Sequence, residues 1–186
     1  PILGTLTTDG KGGWSFVPSL PLDQGAHHLT ITATDTAGNT SAASSFDLTV
    51  DTVSPLMPTI TLVLDDVGSI IGPIADNGVT NDTLPTIRGT GEPGATIQLW
   101  DNTTLLKSDI VVSSSGTWSY TLTDALTDAS KHTFKVTSSD ANGNTTSFSN
   151  TWTINVDTQA PLAPTLTVTN NNIALVDGVA TNVTSP

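Results

Sequence analysis

The sequence predicts an all-β chain of tandem β-sandwich modules, one complete and two partial, and three observations carry that expectation. Thr, Val and Ile recur at short intervals between turn formers, with 15 Gly and 11 Pro in 186 residues, a pattern that favours many short strands. No window carries apolar residues at helical spacing over three turns, and no apolar run approaches the roughly 20 residues of a membrane span. Segments of the sequence also repeat in order at a nearly constant distance.

The repeat sets the organisation. Gly13-Trp14-Ser15-Phe16 returns as Thr117-Trp118-Ser119-Tyr120, Asp35 to Asn39 as Asp140 to Asn144, and Asp51 to Pro55 as Asp157 to Pro161. Met57 to Ile60 likewise returns as Ala163 to Leu166, and the offset runs only from 104 to 106. A period of roughly 100 residues is one immunoglobulin-like sandwich rather than a solenoid repeat. Residues 1–51 then hold the C-terminal part of one module, 52–157 a complete one, and 158–186 the N-terminal part of a third. Asp51 to Pro58 and Asp157 to Pro164 are the linkers, each stiffened by paired prolines. Only the middle module is expected to fold alone; the flanking pieces lack strands to cover their apolar faces and are expected to be disordered or to pair with material outside the chain. The chain opens on Pro1 without Met and reads as an excised segment.

Alternation places the strands. Trp118, Tyr120 and Leu122 share one face; Phe134 and Val136 another; Trp152, Ile154 and Val156 a third. In the first repeat Trp14 with Phe16, Leu29 with Ile31 and Ala33, and Phe46 with Leu48 and Val50 read the same way. Such strands are half-buried and antiparallel, so Trp14, Trp118 and Trp152 are expected in cores, whereas Trp100 falls out of phase with Ile97 and Leu99 and is expected to face outward. Gly91-Glu92-Pro93-Gly94, Ser115-Gly116 and Asn142-Gly143-Asn144 are the turns.

Charge narrows the partners. Five Lys and Arg stand against 17 Asp and Glu, a formal net charge of −12, which repels nucleic acid and anionic membranes. Every acid except Glu92 is Asp, and short carboxylates suit turns and oxygen-ligand sites for hard divalent cations. Cysteine is absent, so neither disulfides nor thiolate metal sites hold the fold.

The order and spacing of Asp65-Asp66-Val67-Gly68, Gly78 to Thr86, Gly89 to Ala95, Gly116 to Tyr120 and Val156 to Pro161 resemble the bacterial Ig-like repeats of giant type I-secreted non-fimbrial adhesins of the BapA and SiiE kind. The resemblance covers the complete module and both fragments. It implies a secreted or cell-surface stalk of tandem repeats that binds Ca²⁺ near its junctions, packs against neighbouring repeats of the same chain, and serves biofilm formation, virulence or attachment to host cells, with host-cell or matrix ligands bound through other regions.

Sandwich topology allows an independent placement of the acids. The first strand runs from the pole where the backbone enters to the pole where it leaves. Glu92 and Asp140 then sit at the entry pole beside the linker residue Asp51. Asp65, Asp66, Asp76 and Asp82 sit in the long exit-pole loop near Asp157, with Asp124 and Asp128 as further candidates. Crowded carboxylates repel, and a Ca²⁺ ion coordinated by oxygens converts that repulsion into a crosslink; the plainer reading is turn-forming Asp on a solvated surface. The third fragment has Asn171-Asn172 where the middle module has Asp65-Asp66, and Val183 where it has Asp82, so weak or no metal binding is expected there. His27, His28 and His132 open the same strand in two repeats without further ligands or a nucleophile beside them, so they read as surface or strand-entry residues and no catalytic residue is assigned. Beside the stalk reading stand a lectin-like or receptor-binding module, which needs an aromatic-lined pocket, and an accessory module of a secreted glycan-active enzyme.

Overall fold

The structure, a computed structural model, describes residues 2–165, 173–176 and 179–182. Among them there is no helix, and none that could cross a membrane. In the first repeat β1 (Gly25–Ile31) pairs antiparallel with β2 (Ser44–Val50), Gly25 opposite Val50 and Ile31 opposite Ser44. The complete sandwich is built from β3 (Thr59–Asp65), β4 (Gly72–Ile74), β5 (Gly78–Thr80), β6 (Thr86–Thr90), β7 (Thr96–Asp101), β8 (Thr104–Val111), β9 (Thr117–Thr121), β10 (Ser130–Ser139) and β11 (Trp152–Val156). β12 (Ile173–Val176) and β13 (Val179–Asn182) form a further antiparallel pair.

Two sheets face each other. One has the order β4-β3-β6-β9 and the other β5-β11-β10-β7-β8, in which β5 runs parallel to β11 and the other neighbours are antiparallel. The N-terminal segment supplies a short edge strand to each sheet, β4 to one and β5 to the other, and short edge strands limit unwanted pairing.

Alternation becomes burial where both sheets are present. Ile97 and Leu99 of β7, Phe134 and Val136 of β10 and Ile154 of β11 are fully buried against Val63 of β3, Ile87 of β6 and Trp118 of β9. Each such residue contributes about 1.5–3 kcal/mol by leaving water. Trp118 lies opposite Gly89 and needs it: a Cβ there would stand 2.4 Å from the indole and 1.9 Å from the Thr59 carbonyl oxygen. The indole N–H donates to the Thr90 carbonyl at 3.1 Å, which satisfies its one polar atom inside the core. Trp152 is half-buried and packs against the same core.

Trp14 corrects the expectation of a core residue. It is 55% exposed, and residues 2–24 form no strand. Trp118 is buried because β6 lies beside β9 and offers Gly89 beneath the ring, whereas among the described residues no strand of the first repeat does the same for Trp14. Phe46, also placed on an inward face, is 66% exposed for the same reason. The alternation itself survives, since His27, Leu29, Leu48 and Val50 are half-buried members of β1 and β2.

His132 departs from the surface expectation in the opposite direction. It does open β10, yet it is buried. Its Nδ1 lies 2.6 Å from Asp101 Oδ2 and its Nε2 2.6 Å from Ser130 Oγ. The other Asp101 oxygen accepts the Thr133 N–H at 3.0 Å. Ser130 Oγ donates to the Thr127 carbonyl, so the hydroxyl is spent within the turn and the three residues form a structural series of hydrogen bonds.

Candidate functional site at the module junctions

Four five-residue turns share one design, and it explains several acids. In Asp9–Gly13, Asp35–Asn39, Ser113–Thr117 and Asp140–Asn144 the first residue's N–H donates to the fifth carbonyl and the fourth residue's N–H to the first carbonyl. The fourth residue is always Gly at positive φ, 82° at Gly12, 90° at Gly38, 77° at Gly116 and 88° at Gly143, where any other residue would be strained. In each, the first side chain also accepts the fifth N–H, and in the three Asp turns the third N–H as well. Capping of this kind is why Asp and Ser lead turns. Asp140 is therefore a turn residue first. Its carboxyl is held below the usual range, chiefly by the Asn144 side-chain amide, while the nearby Asp51 charge pushes the other way.

That Asp140 turn closes on the incoming linker. Asn142 Nδ2 donates to Asp51 Oδ2 at 2.8 Å and Asn144 Nδ2 to the Asp51 carbonyl at 3.2 Å. From the preceding repeat, Gln24 Nε2 donates to Asp51 Oδ1 at 3.0 Å while Gln24 Oε1 accepts the Thr52 N–H at 2.8 Å. Asp51 thus joins residues of two repeats, and hydrogen bonds from Gln24, the Val53 N–H and Asn142 lower its pKa, in that order of weight. Further along, Glu92 accepts the Leu56 N–H at 2.8 Å and Ser54 Oγ donates to the Thr145 carbonyl at 2.9 Å.

At the opposite pole the outgoing linker is caught in the same way. Asp128 stands where Gln24 stands in the first repeat; its Oδ1 accepts the Thr158 N–H at 2.8 Å and its Oδ2 the Gln159 side-chain amide at 2.9 Å. These bonds, the Thr158 N–H first, pull its pKa from 3.8 to about 2. Asp157 caps its own linker by accepting the Gln159 N–H at 3.0 Å, and its N–H donates to the Thr80 carbonyl at 2.9 Å.

Thr80 gathers the exit-pole acids. Its hydroxyl donates to Asp65 Oδ2 at 2.5 Å and accepts the Asp82 N–H at 3.0 Å. Asp82 in turn accepts the Leu84 N–H at 2.7 Å and the Asp66 N–H at 3.3 Å. Asp65 and Asp82 are 8% and 1% exposed, and neither forms an ion pair among the described residues. Asp65 thus meets Thr80 through its carboxylate, Asp82 and Asp157 through their backbone N–H groups, and Asp66 joins only through Asp82. Asp76 is spent elsewhere, on the Thr153 N–H at 2.7 Å. Among the described residues no three His, Cys, Asp or Glu side chains converge at metal-binding distance. Asn171, Asn172 and Val183 lie outside the described residues.

The acids are visible in the sequence by their charge, and the amides that hold them are not. Gln24, Asn142 and Asn144 carry the entry-pole bracket, and the available signal was positional: Gln24 and Asp128 fall at equivalent points of the two repeats, just before β1 and β10.

The architecture of paired sheets with a linker caught at each pole has a matching family. The family model described as "Bacterial Ig-like domain" matches residues 2–52 and 57–158. The chain belongs to the bacterial Ig-like domain family. Among curated proteins nothing matches. A solved structure titled "Biofilm associated protein - BSP domain" is similar at 22% identity and a TM-score of 0.37, over 86% of this protein and 23% of that one. This bacterial Ig-like protein therefore spans less than a quarter of that structure's length.

At the exit pole of this bacterial Ig-like module the side-chain donors are carboxylates and a hydroxyl. Asp65, Asp82 and the Thr80 hydroxyl offer oxygen atoms, the ligand type that Ca²⁺ prefers, and both buried carboxylates are held by hydrogen bonds, Asp65 from Thr80 and the Val67 N–H and Asp82 from the Leu84 and Asp66 N–H groups. A glycan platform finds less support. Trp100 does lie on the outer face, but Phe148 covers it edge-on with ring centroids 5.9 Å apart, and Lys135 Nζ sits 4.2 Å from the centre of the Phe148 ring.

Proposed function

We propose that these modules are stalk segments of a large bacterial surface or secreted adhesin, in which Ca²⁺ at the junctions stiffens the rod that presents a distal binding region for cell adhesion or biofilm formation. The observation that carries this reading is the pair of buried acids, Asp65 and Asp82, at the pole where the linker leaves. Asp65, Asp66, Asp82 and Asp157 would hold the ion at the exit pole, and Asp51, Glu92 and Asp140 at the entry pole. Asp76, whose Oδ1 accepts the Thr153 N–H, would join the exit set through its remaining oxygen capacity. Bound Ca²⁺ supplies positive charge and oxygen coordination, replacing carboxylate repulsion with a crosslink. The protein's own residues set the geometry: Gln24 and Asp128 fix the first linker amides, and the Asp140 turn fixes Asp51. No catalytic residue is assigned, and the neighbouring repeats of the same chain are the immediate partners. Small-angle scattering of an array of three complete modules tests the reading. With calcium the array scatters as a straight rod and with chelator as a bent or flexible one; identical curves in both would refute the ion's role.

A further inference from the structure

The Asp140 turn contains a group whose chemistry is set by its place at the junction. The sequence has two Asn-Gly pairs, Asn77-Gly78 and Asn142-Gly143. Asn followed by Gly is prone to intramolecular attack, because no Cβ shields the following backbone nitrogen. The two pairs are held differently. Asn77 has φ 64°, donates its own N–H to the Thr153 carbonyl at 2.7 Å, and precedes a Gly78 N–H that donates to the Ala75 carbonyl at 2.8 Å. In the other pair the Gly143 N–H reaches the Asp140 carbonyl only at 3.3 Å, near the limit of a useful bond. Asn142 is exposed, and its side-chain amide has one anchor, Asp51 Oδ2 at 2.8 Å.

We infer that Asn142 is a deamidation site guarded by the junction, and that its conversion to a carboxylate opens the entry-pole bracket. In the reaction the Gly143 nitrogen loses its proton and bonds to Asn142 Cγ. The bond from Cγ to Nδ2 breaks, ammonia leaves, and a succinimide ring remains. Water adds to either ring carbonyl, the bond from that carbon to the ring nitrogen opens, and the product is aspartate or isoaspartate. No oxidant or cofactor is required. The donor that faced Asp51 becomes an anion, beside a carboxylate already close enough for its charge to act on Asp140; like charges at that spacing repel. The first repeat has Ala37 at the equivalent place in the Asp35 turn, which has the same hydrogen bonds, so the labile residue is specific to the copy that holds this linker. The hydrogen bond to Asp51 restrains the Asn142 amide, so an intact junction slows the approach of the Gly143 nitrogen to Cγ. No bound ion is needed for this chemistry.

The test is incubation of the 186-residue protein in chelator at mildly alkaline pH, with peptide mapping that reports Asn77 and Asn142 separately. In the Asp51→Ala variant Asn142 is expected to convert about tenfold faster, the ratio that corresponds to about 1.4 kcal/mol of protection, while Asn77 keeps its rate and so reports that the module remains folded. An unchanged Asn142 rate, or an equal rise at both sites, overturns the guarding role. In the Asn142→Asp variant the Val53 and Leu56 amides are expected to exchange hydrogen faster than in the native protein; unchanged exchange overturns the opening of the bracket.

Discussion

Residues 25–50 and residues 130–156 carry the same repeat, and their contrast separates what a strand's own sequence decides from what its neighbours decide. Both form an antiparallel pair opening on a His-containing strand. In the second pair Phe134, Val136 and Ile154 are fully buried; in the first Phe46 is 66% exposed and Leu29 and Leu48 are half-buried. Local alternation selects which side chains share a face, and only an opposing sheet turns that face into a core. Among the described residues the first pair has no such sheet.

Truncation of matched aromatics is expected to separate the two pairs most widely. Phe134→Ala is expected to destabilise the middle module by about 3–5 kcal/mol, and Phe46→Ala to change its stability by under about 0.5 kcal/mol, both read from urea unfolding of the whole protein. Comparable losses would mean that the two pairs are equally packed.

The histidines give a second, smaller contrast. His28 and His132 occupy equivalent strands and each meets an aspartate, but the His28 and Asp47 side chains are 62% and 80% exposed and those of His132 and Asp101 10% and 12%. Asp101→Ala leaves His132 and the Thr133 N–H without their acceptor inside the protein and is expected to cost about 1–3 kcal/mol. Asp47→Ala removes a solvated pair and is expected to cost about 0–1 kcal/mol. Thermal melts of the two variants side by side check the difference.

These contrasts also show how far the sequence can be read. The all-β class, the strands of the middle module and its core faces are legible because period-2 alternation is local. Trp14 is misread because burial of its counterpart, Trp118, depends on β6, a strand that alternation within the Trp14 segment does not report. His132 is misread because its partner, Asp101, lies 31 residues away, beyond the reach of any local pattern. At the junctions Asp51, Asp140 and Asp157 stand out by charge, whereas Gln24, Asn142 and Asn144 are neutral and become visible only through the bonds they make across 27, 91 and 93 residues. Asp65 and Asp82 read as members of an exit-pole group; that they are buried and share Thr80 follows from the return of β5 alongside β11.

The least disruptive comparison is between the two junctions under acid. A carboxyl whose pKa falls on folding stabilises the folded form above its unfolded value, and that contribution is lost as pH drops through the folded value. For Asp128 the window runs from 3.8 down to about 2. Exchange of the Thr158 amide is therefore expected to stay protected through about pH 4 and to lose protection progressively towards about pH 2. At the entry junction Gln24 holds the Thr52 amide through an uncharged oxygen, so its own bond carries no such dependence. The Asp128→Asn variant should remove this dependence from the Thr158 amide.

Calcium titration by calorimetry, on the native protein and on the Asp65→Asn, Asp82→Asn double variant, tests the proposed stalk most directly. Saturable heat and a raised melting temperature are expected for the native protein, with loss of the exit-pole component in the variant. A native protein that takes up no calcium at millimolar concentration, and melts identically with chelator, would contradict it.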